Sequence, residues 1–134
     1  MPDEDFAEIL KSAPASVSVE RFRPDFTRLV AQAQVSVSQA GYNTVSDVLQ
    51  ARCRAVLIPY SAHGETEQSD RATRLQRLGL ATVLAESSLS GDELASAIST
   101  ILSPESSLAT ATIDTDGAAG TGKILRKLFN EREA

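Results

Sequence analysis

The stretch VSVSQAGYNTVSDVLQ, residues 35–50, decides how this chain folds. It opens with alternating valines, as in a short strand, and turns at Gly41 into a segment whose apolar residues recur three or four positions apart. This pattern predicts a strand, a glycine turn and a helix over residues 42–51. Such a unit places the free N–H groups of a helix start at the end of a strand, where phosphate groups bind in many proteins.

Strand and helix signals alternate on both sides of this unit. The predicted strands are residues 15–22, 35–37, 55–59 and 81–84. The predicted helices are residues 6–10, 24–33, 42–51, 65–78, 90–102 and 123–131. This alternation predicts an α/β fold, a Rossmann-like parallel sheet with helices on both faces, in which 55–59 is a central strand. Ligands of such sheets bind beyond the carboxyl ends of the strands.

Several residues mark the ends and faces of these helices. Gly79 is placed to terminate the 65–78 helix, in which Leu78 is predicted to face inward together with Ala72 and Leu75. Ser90 and Glu93 form a capping-box pattern at the start of the 90–102 helix. Residues 104–122 are rich in small and polar types, which predicts a flexible loop before a C-terminal helix within residues 123–134. The predicted domain therefore spans residues 1–103.

The composition of the chain argues against several classes of protein. The 134 residues suffice for one domain, and the net charge of −5 with scattered Lys and Arg argues against nucleic-acid binding. No apolar run approaches about 18 residues, and the acidic N-terminus is unlike a signal peptide. The single cysteine, Cys53, excludes an internal disulfide, fits a reducing cytoplasm and is expected to be buried. With one histidine and one cysteine, the sequence predicts a cytoplasmic protein without a metal site or cofactor.

The turn after the 35–37 strand is the first candidate binding site. Gly41 permits a close approach of a ligand to the backbone, and Asn43 or Thr44 lies where a side chain can cap the helix. Exposed N–H groups at this helix end would attract a diphosphate. Asp47, one helical turn further on, can accept hydrogen bonds from ribose hydroxyls. The alternative is an ordinary β–α turn with a carboxylate that the helix dipole favours.

The loop after the 55–59 strand is the second candidate. Glu67 and Gln68 carry the carboxylate and amide groups that hydrogen-bond sugar hydroxyls, and His63 could contact a phosphate or transfer a proton. The alternative is a solvated helix start with a histidine that has neither role.

The segment GAAGTGK, residues 117–123, is close to the phosphate-binding loop of nucleotide triphosphatases. Ile124 stands where that motif needs a magnesium-binding hydroxyl, and Asp114 and Asp116 just upstream would repel phosphate. A connection before the last helix is the preferred interpretation.

Three motifs together carry a family resemblance: SQAGYNTVSD at residues 38–47, LIPY at 57–60 and EQSDRA at 67–72. In content and spacing they resemble the C-terminal domain of family 28 glycosyltransferases, which include the bacterial N-acetylglucosaminyltransferase that forms lipid II. The resemblance covers about residues 17–102. It implies the C-terminal half of a GT-B fold, in which two Rossmann-like domains meet and this one holds most of the nucleotide-sugar donor.

The resemblance also implies roles for single residues. Asp47 matches the carboxylate that binds the ribose, although the family usually has Glu there. Glu67 and Gln68 match the pair that contacts the donor sugar. Phe22 and Arg23 lie in the loop that is placed against the base. The residues that match the diphosphate-binding turn are Gly41, Tyr42, Asn43 and Thr44, and Ser38 is also expected to contact the donor.

The expected function is donor binding for hexosyl transfer from a nucleotide diphospho-sugar, a UDP-sugar above all. The family domain normally opens with a strand and a glycine-rich turn, which are not found here, so the chain is expected to be a partial domain or a natural split subunit that is inactive alone. The catalytic base, the acceptor site and any peripheral membrane association are expected in an N-terminal domain or partner subunit. Two alternatives remain: a nucleotide-sugar epimerase or hydrolase of the same fold, and a non-catalytic donor-binding subunit.

Overall fold

The computed structural model describes residues 2–61 and 66–103, which form a parallel sheet with helices packed against it. Its three strands are β1 (Val35–Ser38), β2 (Arg54–Leu57) and β3 (Thr82–Val83). Its five α-helices are α1 (Asp3–Ser12), α2 (Phe26–Gln32), α3 (Tyr42–Ala51), α4 (Glu67–Arg77) and α5 (Gly91–Leu102). A short 3-10 helix, Glu86–Ser88, precedes α5.

The sheet has the order β1-β2-β3, and both strand pairs are parallel. Val37 lies opposite Val56 in the first pair, and Leu57 lies opposite Val83 in the second. The middle strand is completely buried at Ala55, Val56 and Leu57. The predicted central strand is therefore confirmed, and the carboxyl ends of β1 and β2 lie side by side.

Helices cover both faces of the sheet, as predicted. Because side chains alternate along a strand, Ala55 and Leu57 face one side and Val56 faces the other. The first side packs against α2, α3 and α4, with Val48 and Leu75 in the same cluster. The second side packs against α5, where Val56 meets Ala97 and Ile101. Burial of these side chains is the main stabilising contribution to such a fold.

Three predicted features of the helix ends and faces are confirmed. Ser90 caps α5, because its hydroxyl oxygen accepts a hydrogen bond from the Glu93 amide at 3.2 Å. Gly79 follows α4 with a positive φ of 69°, a left-handed conformation that glycine adopts without strain. The apolar face of α3 is buried at Val45 and Val48.

Cys53 is buried before β2, as predicted, and burial raises the pKa of its thiol above the ordinary value of 9.0. Its sulfur lies 3.6 Å from the Ala33 carbonyl oxygen and 3.3 Å from that of Arg54. The neutral thiol is thus the form that the folded protein favours.

The predicted strand over residues 15–22 is wrong. The Val17 amide donates a hydrogen bond to the Pro14 carbonyl at 2.9 Å, which makes a turn, and Arg21 pairs with Asp3 of α1 at 2.6 Å. Alternation alone does not make a strand, since the backbone also needs a neighbour to pair with. No strand in the described part of the chain pairs with this segment.

The prediction that Leu78 faces inward is also wrong, because its side chain is 45% exposed. Helix α4 ends at Arg77, so the helical periodicity no longer places the next residue on the buried face. The predicted loop over residues 104–122 and the predicted C-terminal helix lie outside the described residues. Within the described helices, none combines the length and apolar character needed to cross a membrane.

Candidate donor-binding site

The turn between β1 and α3 lies at the carboxyl edge of the sheet. The Ile58 amide donates to the Ser38 carbonyl at 2.9 Å, which fixes the end of β1 against the end of β2. Helix α3 then begins at Tyr42, and its first backbone bond runs from the Val45 amide to the Gly41 carbonyl at 3.0 Å. The N–H groups of the first three helical residues precede that bond and have no partner within the helix.

The prediction that Asn43 or Thr44 caps α3 is wrong. A capping side chain belongs to the residue before the first helical one, and that residue is Gly41, which has no side chain. In the described part of the chain, no side chain makes a capping hydrogen bond to α3. Among the residues described, no side chain therefore competes with an anion for the first-turn N–H groups at the positive end of the helix dipole.

Gly41, the residue before these N–H groups, has open space where a side chain would lie. Its φ of −61° is ordinary for any residue, and a Cβ at this position would meet nothing within 4 Å. Neither backbone strain nor packing within the described residues requires glycine here. That this glycine permits the close approach of a ligand to the backbone stays a prediction.

Ser38 brings a buried hydroxyl to the same edge. Among the described residues its Oγ has no hydrogen-bond partner, although the atom is buried. An unpaired buried hydroxyl costs about 1–3 kcal/mol. The hydroxyl belongs to the last residue of β1, three positions before Gly41.

Asp47 lies one turn inside α3 and is half-buried. Its Oδ1 accepts a hydrogen bond from the Thr27 hydroxyl of α2 at 3.3 Å. Thr27 was not predicted from the sequence, because the contact joins residues twenty positions apart. A carboxylate has about four acceptor positions, so this bond orients Asp47 and leaves capacity for further donors.

Gln68 and Glu67 start helix α4 beside the end of β2. The Tyr60 amide donates to Gln68 Oε1 at 3.2 Å, so the side-chain NH2 of Gln68 remains available to a ligand. The Glu67 side chain is exposed. Both residues are therefore near the carboxyl edge of the sheet, as predicted.

Arg71 connects this part of α4 to the turn before α3. Its Nη1 donates to the Ala40 carbonyl at 2.7 Å, and its guanidinium lies 5.8 Å from the centre of the exposed Tyr42 ring. Glu67 and Arg71 form a loose ion pair at 3.9 Å. The sequence analysis did not assign Arg71 a role; its position four residues after Glu67, on the same helix face, is the signal that could have found it.

Comparison with known proteins identifies the family. The sequence profile of the glycosyltransferase family 28 C-terminal domain matches residues 3–123. The chain belongs to that family.

Three relatives of this glycosyltransferase domain are each named UDP-N-acetylglucosamine–N-acetylmuramyl-(pentapeptide) pyrophosphoryl-undecaprenol N-acetylglucosamine transferase. The protein of Sinorhizobium medicae is 32% identical over 117 residues, which cover 86% of this chain and 31% of the relative. That of Rhizobium meliloti is 33% identical, over 82% of this chain and 28% of the relative. That of Carboxydothermus hydrogenoformans is 26% identical, over 92% of this chain and 32% of the relative. The chain thus spans about a third of the length of these relatives.

Phe22 and Arg23 of the glycosyltransferase domain lie in the irregular segment before α2. The Phe22 side chain is 80% exposed. Arg23 is held by Asp25 at 2.9 Å and Glu20 at 2.8 Å; hydrogen bonding to Asp25 raises the pKa of Arg23, and the same bond lowers the pKa of Asp25. Among the described residues, no hydrogen bond or ion pair joins Phe22 or Arg23 to the turn before α3. His63 lies outside the described residues.

Proposed function

We propose that this domain binds the nucleotide diphosphate part of a sugar donor and presents the sugar for transfer to an acceptor. The observation that carries the proposal is the uncapped first turn of α3, which opens onto free space at Gly41. Donors of hydrogen bonds and a partial positive charge meet there, at the edge of a parallel sheet where ligands bind. We take the anion to be a diphosphate, because helix starts at such sheet edges commonly hold phosphate groups.

The same N–H groups would assist the chemistry. When the bond between the sugar and the diphosphate breaks, negative charge grows on the departing phosphate oxygen. Fixed backbone donors stabilise that charge without having to reorient, because the helix already holds them in place. In this scheme the domain supplies leaving-group stabilisation, and the base that activates the acceptor comes from elsewhere.

The side chains around the turn would orient the rest of the donor. Asp47, held by Thr27 at 3.3 Å, would accept hydrogen bonds from the ribose hydroxyls. Gln68, held by the Tyr60 amide, would donate its NH2 group to a sugar hydroxyl, with the exposed Glu67 as a neighbouring acceptor. Phe22 and Arg23 would lie towards the base, and Ser38 would contribute its unpaired hydroxyl.

The names of the relatives support a more specific donor. They are N-acetylglucosamine transferases whose names include UDP-N-acetylglucosamine, so we propose that nucleotide sugar as the donor here. The chain spans 31% of the relative from Sinorhizobium medicae. The acceptor would accordingly be held by a second domain or a separate subunit.

A matched pair of glycine variants tests the proposal. Gly41→Ala adds a methyl group at the residue before α3, and Gly91→Ala adds one at the first residue of α5; neither methyl group would meet other protein atoms within 4 Å. By calorimetry we expect Gly41→Ala to bind UDP about tenfold more weakly, because the methyl group blocks the close approach of a phosphate. Gly91→Ala should bind UDP like the unchanged protein.

The ligand series provides the second control. Uridine should bind more weakly than UDP, since it lacks the groups that the helix start would hold. Equal affinity for uridine and UDP, or an unchanged UDP affinity of Gly41→Ala, would show that this turn does not hold the diphosphate.

A further inference from the structure

The guanidinium of Arg71 holds the peptide group that precedes the open turn. Its Nη1 donates to the Ala40 carbonyl at 2.7 Å, Ala40 is completely buried, and the Arg71 side chain is only 26% exposed. A hydrogen bond from a charged donor in such a shielded place is stronger than one between neutral groups. The contact joins residues thirty-one positions apart and links α4 to the turn.

This bond also sets the direction of the next amide. The peptide group is planar, and the described residues contain no cis peptide bond, so the Ala40 carbonyl and the Gly41 N–H point in opposite directions. Drawing the carbonyl towards Arg71 keeps its negative oxygen on the α4 side and turns the Gly41 N–H away from α4. The orientation of the residue that opens α3 therefore depends on Arg71.

Arg71 shares a helix with the residues at the other end of the proposed donor site. Gln68 precedes it by three positions and Glu67 by four, so all three lie on neighbouring parts of one helix surface. Gln68 is itself bonded to the Tyr60 amide after β2 at 3.2 Å. Helix α4 thereby bonds to the segment that follows β1 and to the segment that follows β2.

We propose that Arg71 is a positioning residue of the donor site, which fixes the Ala40–Gly41 peptide so that the diphosphate end and the sugar end are held as one unit. It acts through the backbone of the turn rather than by contacting the nucleotide. This inference rests on the proposed function, because it assigns the turn to donor binding.

The test compares Arg71→Gln and Arg71→Lys with Arg74→Gln, which removes the same charge from an exposed position on the same helix. Without ligand, the Ala40 carbonyl carbon and the Gly41 amide nitrogen should change NMR frequency in Arg71→Gln and not in Arg74→Gln. With UDP, Arg71→Gln should bind about tenfold more weakly, because only about a tenth of the molecules would then hold the Ala40–Gly41 peptide in the binding orientation. Arg71→Lys should fall between the two, since lysine keeps the charge without the planar guanidinium.

Three outcomes would overturn the inference. Weaker UDP binding with unchanged Ala40 and Gly41 signals would mean that Arg71 contacts the nucleotide directly. Changed signals with unchanged affinity would mean that the bond is only structural. If Arg74→Gln changed the NMR signals and the UDP affinity as much as Arg71→Gln, the loss of one positive charge would explain both effects without the bond to Ala40. If the unchanged protein fails to bind UDP, the proposed function fails instead, and the ligand-free spectra still show whether Arg71 sets the turn. Thermal unfolding of each variant confirms that it is folded.

Discussion

At the scale of single residues, the proposed site includes two groups that the fold leaves unused. Gly41 has an ordinary φ and space for a Cβ, and Ser38 has a buried hydroxyl without a partner among the described residues. Neither the glycine at position 41 nor the hydroxyl of Ser38 adds to the stability of the fold. Residues of this kind are expected where a protein keeps groups available for a ligand.

Ser38→Ala should separate binding from stability. The change removes no hydrogen bond seen within the described residues, so the free energy of unfolding should stay the same or rise by up to about 1 kcal/mol. UDP affinity should fall about three- to tenfold, because a donor to the ligand is lost. Ser36→Ala, on the same side of β1 but further from its end, is the control and should bind normally. A clear loss of stability in Ser38→Ala, with normal UDP binding, would contradict this role.

Cys53 predicts a pH dependence of stability. Burial raises the pKa of its thiol in the folded protein above 9.0, whereas the unfolded chain keeps the ordinary value. As the pH rises past 9.0, the unfolded chain loses its proton first, so unfolding becomes easier until the folded thiol also ionises. Well below pH 9.0 the thiol is protonated in both states, and the stability that the raised pKa provides is fully present.

Cys53→Ala isolates this effect. Urea unfolding at several pH values between about 8 and 10.5 should show a smaller decline in stability for the variant than for the unchanged protein, since other titrating groups are common to both. Equal declines would mean that the thiol is not responsible.

At the scale of elements, prediction from the sequence succeeded where the signal is local. The bounds of α3 follow from the spacing of its valines and from Gly41, and the cap of α5 follows from Ser90 and Glu93. It failed where structure depends on distant partners. Residues 15–22 alternate like a strand but have no strand to pair with among the described residues, and the segment begins in a turn between Pro14 and Val17. The contacts of Thr27 and Arg71 join residues far apart in the chain, so they leave no local pattern in the sequence.

The end of α3 offers a test at this scale. Arg52 has a φ of 51°, a left-handed conformation in which the Cβ atom is crowded. Arg52→Gly should raise the free energy of unfolding by about 0.5–1 kcal/mol, the relief of that strain less the added freedom of the unfolded chain. Arg52→Ala keeps the Cβ atom and should give no such gain. If urea unfolding shows that Arg52→Gly is no more stable than Arg52→Ala, the left-handed backbone at Arg52 carries no strain.

At the scale of the whole molecule, we propose that the described residues provide the donor side of a transfer reaction. Three parallel strands bring the β1 turn and the start of α4 to one edge, and Arg71 joins them. The family assignment could be predicted from three short motifs, because their spacing reflects this common edge. The proposed acceptor side belongs to a second domain or subunit.

An NMR titration with UDP tests the central claim most directly. If the diphosphate binds at the start of α3, the amide signals of residues 41–47 should shift on addition of UDP, while those of the first turn of α5, with its serine cap, should stay in place. Unchanged signals for residues 41–47 at millimolar UDP would contradict the account.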